Sequence, residues 1–112
     1  MIINIKGTNL DLTEPLKTYA LDKFGALGKY LKGEVHTKIE LERQRKHQSG
    51  NVFRAECLIV VGGKDIRADA VSEDIYASID LVIPKLKEQI HKFKDKRDTL
   101  RKRGARSAKR KF

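Results

Sequence analysis

The chain's hydrophobic residues change period twice, and that change limits the possible folds more than any other feature. Leu16, Ala20, Phe24, Leu27 and Leu31 recur at spacings of four, four, three and four, the stripe of an amphipathic helix. Thr13-Glu14-Pro15 before them supplies a hydroxyl cap, a carboxylate at the positive end of the helix dipole, and a proline where no N–H is needed. Gly25 and Gly28 each weaken such a helix by ~1 kcal/mol relative to alanine, so it depends on packing. Lys32-Gly33 reads as its end. Upstream, Ile3 and Ile5 alternate in a short strand over residues 2–6, broken by Gly7-Thr8-Asn9.

From Glu34 the period is two. Val35, Thr37, Ile39 and Leu41 share one strand face, and His36, Lys38, Glu40 and Glu42 the other. Residues 44–51 form a polar loop, and a second strand over 52–61 puts Phe53, Ala55, Cys57, Ile59 and Val61 on one face. Gly62-Gly63 permits a tight hairpin, and residues 64–70 return as a strand with Ile66, Ala68 and Ala70 inward. Then the helical period resumes. Ser72 serves as a cap, and Ile75, Ile79, Val82, Leu86, Ile90 and Phe93 form a stripe that passes Pro84 without losing phase, although the proline should kink the helix. The order is β-α-β-β-β-α. Two one-sided helices and one apolar sheet face give an α+β fold, a four-stranded mixed sheet with both helices on the same face.

At 112 residues the chain supports one core. Its net charge of +10 is concentrated at one end: residues 92–112 hold eleven basic and two acidic residues, an excess of nine, while residues 1–91 hold fourteen and thirteen. Apolar positions thin out past Lys96, so the expected division is a folded domain at 1–98 and a basic, disordered tail at 99–112. No apolar run approaches the ~18 residues that span a bilayer, and no charged leader precedes a long apolar core, which argues against a signal peptide. Cys57 is the only cysteine, which suits a reducing, cytoplasmic setting.

A search for catalytic chemistry finds none. His36, His47 and His91 fall on a strand, a loop and a helix, with no ligand spacing for a metal. Gly25-Ala26-Leu27-Gly28 and Gly62-Gly63-Lys64 lack the context of phosphate-binding loops, and no histidine is placed to activate Thr13, Ser72 or Ser78. The expectation is a binding protein without cofactor, metal or membrane partner.

The second helix carries the more informative charges. Lys85, Lys92 and Lys96, with Arg103 if the helix persists, cluster on one flank of the apolar stripe, with Gln89 beside them. Lys87, Lys94 and Arg101 make a second, looser row on the other flank. Lysines beside a buried stripe also snorkel, and Glu88 can neutralise Lys85 or Lys92, so a purely structural role stays open. The uncompensated run onward, Arg101-Lys102-Arg103 and Lys109-Arg110-Lys111, favours a phosphate backbone as partner. No strand displays adjacent outward aromatics, so a base-stacking sheet is not expected. The second helix also starts with Ser72-Glu73-Asp74, not with the lysines typical of a double-stranded-RNA-binding domain.

Glu73-Asp74-Ile75-Tyr76-Ala77-Ser78-Ile79-Asp80, followed by Lys85-Leu86-Lys87-Glu88-Gln89-Ile90, resembles the ribosome hibernation-promoting factor family. That family is also called ribosome-associated inhibitor or protein Y, and was once described as sigma-54 modulation protein. Thr13 to Pro15 and the β-α-β-β-β-α order fit it too, so the resemblance covers roughly residues 1–98. It implies a translation inhibitor of stress or stationary phase that binds rRNA of the small ribosomal subunit in the mRNA–tRNA channel. Carried over residue by residue, Lys85, Lys92 and Lys96 match best as rRNA-binding residues, with Lys87 and Lys94 on the same helix and Lys23 and Lys29 on the first. Glu88 departs from the pattern, standing where many members have a basic residue. Long members add a C-terminal domain that dimerises ribosomes. This chain is therefore expected to be a short form or the N-terminal domain of a long one, with dimerisation left to a separate factor or to that domain. The alternative is a general nucleic-acid or anionic-surface binder that acts mainly through its basic tail.

Overall fold

The computed structural model describes the backbone of residues 1–45 and 52–110 and the side chains of residues 1–45 and 52–95. The elements run β1 (Ile2–Thr8), α1 (Glu14–Gly25), a 3-10 helix (Ala26–Tyr30), β2 (Val35–Arg43), β3 (Phe53–Val61), β4 (Lys64–Ser72) and α2 (Ile75–Arg110). One sheet of order β1-β2-β3-β4 results, with β1 parallel to β2 and the other pairs antiparallel. The first pairing aligns Ile2 with His36 and Thr8 with Glu42, and the second aligns Ile39 with Cys57. The β-α-β-β-β-α order and mixed sheet are those expected from the periodicity.

Alternation decides which sheet face is buried. Val35, Ile39 and Leu41 meet Ala55, Cys57, Ile59, Ile66, Ala68 and Ala70 on the inner face. The stripes of α1 (Leu16, Ala20, Phe24) and α2 (Ile75, Ile79, Val82, Leu86, Ile90) cover it. α2 lies over β3 and β4, and α1 lies beside α2. Pro84 is carried inside α2 without ending it, and the stripe on both sides of it is buried. Thr37 sits in this core, and its Oγ1 has no hydrogen-bond partner among the described residues.

Several boundaries differ from the sequence expectation. β1 continues through Gly7 and Thr8, and the chain turns at Asn9 (φ 55°). Gly7 is needed there for space, since a Cβ would lie 2.7 Å from the Leu10 carbonyl oxygen. The helix expected to reach Lys32-Gly33 leaves α geometry at Gly25 and tightens into the 3-10 helix, which keeps Leu27 buried. With Gly25 and Gly28 there, α geometry has little intrinsic support. Thr13 caps α1 as expected, its Oγ1 accepting from Leu16 N at 3.3 Å. Ser72, however, ends β4 and is not the cap of α2. Asp74 fills that role: its Oδ1 accepts from Tyr76 N at 3.3 Å and its carbonyl from Ser78 N at 3.0 Å.

Gly62 and Gly63 (φ 56° and 73°) make the β3–β4 hairpin with both central residues left-handed, the geometry of a type I′ turn. The tip of the loop expected at 44–51 lies outside the described residues, as do the side chains of the expected tail at 99–112. α2 is traced to Arg110.

Candidate nucleic-acid interface

The helical layer sorts the lysines of α2 into two groups. Lys85 and Gln89 turn toward the edge strand β4: Lys85 Nζ donates to the Asp69 carbonyl at 2.9 Å and Gln89 Nε2 to the Arg67 carbonyl at 2.6 Å. Lys92, on the same flank, pairs with Glu88 at 3.2 Å one turn back, with both side chains largely exposed. Such helix pairs contribute only ~0.3–0.5 kcal/mol. Two of the three best-matching candidates are thus already engaged within the fold, and the side chain of Lys96 lies outside the described residues.

The other flank faces α1. Lys87 lines a groove of about 280 Å³ between the two helices, together with Lys23, Lys29, Tyr30, Leu27 and Ile83. Lys23 and Lys29 are scattered on a straight helical wheel. Tightening into the 3-10 helix after Gly25 changes the angle between them, and both reach the same groove. Lys87, His91 and Lys94 follow one another at i, i+4 and i+7, so they share a helix face. Among the described residues Lys29, Lys87 and Lys94 have no salt bridge, whereas Lys23 meets Asp80 at 3.9 Å.

Aromatic rings are interleaved with these cations. Tyr30 and His91 lie edge to face at 5.7 Å between centroids, and Lys29 Nζ lies 5.1 Å from the Tyr30 ring. Further along, Tyr19 and Tyr76 meet edge to face at 5.0 Å, and Lys23 Nζ lies 5.4 Å from the Tyr19 ring. Tyr19 Oη donates to Asp80 Oδ1 at 2.6 Å, which fastens α1 to α2 and raises the phenol pKa above its usual value. Sequence reasoning missed these rings because it looked for stacking on the sheet. The signal was present in the placement of His91 four residues after Lys87 and three before Lys94.

The outer sheet face has a different character. Arg54 is surrounded by Glu40, Glu56 and Asp69, and Arg67 and Lys6 pair with Glu56 and Glu40. Charge there is largely balanced, so the helical face is the better match for a polyanion. Among the described residues no cluster of three or more His, Cys, Asp or Glu could hold a metal ion, and no helix is long and apolar enough to cross a membrane.

Comparison with known proteins adds an independent line. The family model described as "Sigma 54 modulation protein / S30EA ribosomal protein" matches residues 3–98. The ribosome hibernation promoting factor of Escherichia coli K12 is 35% identical over 98 residues, covering 86% of this chain and 96% of that protein. That of Pseudomonas putida KT2440 is 28% identical over 100 residues, covering 89% and 93%. Among solved structures, the Thermus thermophilus protein Y N-terminal domain superposes with a TM-score of 0.71 at 29% identity, covering 83% of this chain and 99% of that one. A family match across most of the chain, with the same fold in a solved relative, gives one conclusion: this chain belongs to the Sigma 54 modulation protein / S30EA ribosomal protein family, that of the ribosome hibernation-promoting factors.

Proposed function

We propose that this chain is a ribosome-associated hibernation factor that inhibits translation under stress or in stationary phase. It binds rRNA of the small ribosomal subunit in the mRNA–tRNA channel and acts there by occlusion, in the cytoplasm and without catalysis. The observation that carries this reading is family membership over residues 3–98, with relatives that are named ribosome hibernation promoting factors. The binding face is the helical layer. Lys29, Lys87 and Lys94 supply its central charge, Lys23 joins them in the groove although it also meets Asp80, Lys96 extends it, and Lys85 and Lys92 contribute less because they lie on the opposite flank of α2, held by Asp69 and Glu88.

Co-sedimentation with purified small subunits, run beside an in vitro translation assay, tests the proposal. The protein should travel with the subunit and lower protein synthesis. Protein that stays at the top of the gradient at moderate salt, with translation unaffected, refutes it. Removing residues 99–112 separates this reading from a tail-driven binder. The folded helices should keep specific binding, and a near-complete loss would favour the tail.

A further inference from the structure

We infer that the groove between the 3-10 helix and α2 is a subsite for one unstacked nucleotide of single-stranded or bulged RNA. Its base lies against Tyr30 and the apolar floor, and its phosphates lie on Lys29 and Lys87. The inference deepens the ribosome-binding reading and rests on it for the source of the RNA. The groove itself stands on its own geometry.

Four observations point to a nucleotide. The groove's volume, about 280 Å³, lies just below the usual range of small-molecule sites (~300–1,000 Å³) and is on the scale of a single nucleoside. Its floor is apolar, made by Ala26, Leu27 and Ile83, which suits a base face and not a bare phosphate. Of its three cations Lys23 meets Asp80, while Lys29 and Lys87 carry no salt bridge among the described residues, so a phosphate displaces no competing carboxylate from those two. Tyr30 lines the same space and is half-buried, its ring steadied by His91.

The ring face is now covered by Lys29 Nζ, a weak contact at an exposed site. A nucleotide lets both groups exchange to stronger partners: the ammonium moves to phosphate and the ring to the base. Asp22, which also lines the groove, offers an acceptor to a base N–H. A phosphate chain without bases satisfies the lysines and leaves the ring and floor unused.

The experiment compares a fluorescein-labelled single-stranded RNA hexamer with inorganic polyphosphate of matched charge, using the whole 112-residue chain, anisotropy for the RNA and competition for the polyphosphate. Tyr30→Leu should weaken RNA binding about tenfold, since one stacked base is lost, and leave polyphosphate binding unchanged. Tyr30→Phe should bind RNA as the unsubstituted protein does. Upfield shifts of the Tyr30 ring protons on adding RNA, read by NMR on the unsubstituted protein, keep the test open should Tyr30→Leu lower stability. Unmoved ring signals, an unchanged RNA affinity for Tyr30→Leu, or equal losses for RNA and polyphosphate overturn the subsite. Sedimentation with small subunits separates the two readings. Unsubstituted protein that binds the hexamer through Tyr30 but ignores the subunit overturns the ribosomal reading alone. Subunit binding with no dependence on Tyr30 in either assay overturns the subsite alone.

Discussion

Neutralising two groove lysines, Lys29→Gln with Lys87→Gln, should change how binding to the small subunit responds to salt. Each phosphate contact contributes about 0.7 to 0.9 to the negative slope of log K against log salt, the lower value applying to single strands. If Lys23, Lys29, Lys87 and Lys94 each meet one phosphate, the slope from this face is about −2.8 to −3.6. Affinity then falls roughly 50- to 150-fold between 50 and 200 mM salt. With Lys29 and Lys87 gone, the slope should become shallower by about 1.4 to 1.8, and the same salt step should cost only about 7- to 12-fold. The matched control is Lys85→Gln with Lys92→Gln and Glu88→Gln. Lys85 is held on the Asp69 carbonyl, which leaves its charge in place, and Lys92 is paired with Glu88, so these changes lower the net charge by one against two for the groove pair and should shift the slope by no more than half as much. Sedimentation titrations at four or more salt concentrations give both slopes. Equal shifts for the two sets, or a larger one for the control, would refute the assignment of the groove side as the principal phosphate face.

Thr37→Val should raise stability by about 1 kcal/mol in urea denaturation, because it replaces a buried hydroxyl without a partner by a methyl of similar shape; a loss of stability would show that the hydroxyl is satisfied. Ser78→Ala should cost about 1–3 kcal/mol in the same assay, since the fully buried hydroxyl donates to the Phe53 carbonyl at 2.8 Å and meets Ser72 Oγ at 2.7 Å. No change there would refute its role in joining α2 to β3 and β4. Gly7→Ala should destabilise measurably by thermal melting, as the new methyl would lie 2.7 Å from the Leu10 carbonyl and 2.9 Å from Leu12 Cγ; an unchanged melting temperature would count against the close approach. Burial pushes the Cys57 thiol up to about 12. The folded state therefore keeps its proton while the unfolded chain begins to lose it near its ordinary value of 9.0, so this group lowers stability as pH rises from there toward about 12. Cys57→Ala should flatten that fall, and the native thiol should resist a thiol reagent at pH 8; rapid labelling of folded protein would contradict its burial.

The stripes of α1 and α2 and the alternation of β2, β3 and β4 were legible in the sequence because one face of each element is buried, and burial selects residue type directly. The ends were less legible, since they depend on contacts between elements. Ser72 and Asp74 are equally good caps by composition, and only the extension of β4 through Ser72 decides between them. The grouping of Lys23, Lys29 and Lys87 was out of reach for a related reason. It depends on a change of helical pitch at Gly25 and on how α1 lies beside α2, neither of which is encoded in a helical wheel. Lys85 looked like a free cation because the carbonyl that holds it belongs to a strand sixteen residues earlier.

The capture of the Arg67 and Asp69 carbonyls by Gln89 and Lys85 bears on what two copies of this molecule can do to each other. A sheet with two accessible edges can add strands at both and grow without limit. Here two acceptors of the β4 edge are taken by side chains from the molecule's own helix, which hinders strand addition there and leaves β1 as the more open edge. Pairing through a single edge closes after two molecules, by a two-fold axis that uses up both β1 strands. By holding these two carbonyls, α2 works against edge-to-edge growth: a fibre built by strand addition would need a second open edge, and at β4 it would first have to break the hydrogen bonds of Lys85 and Gln89.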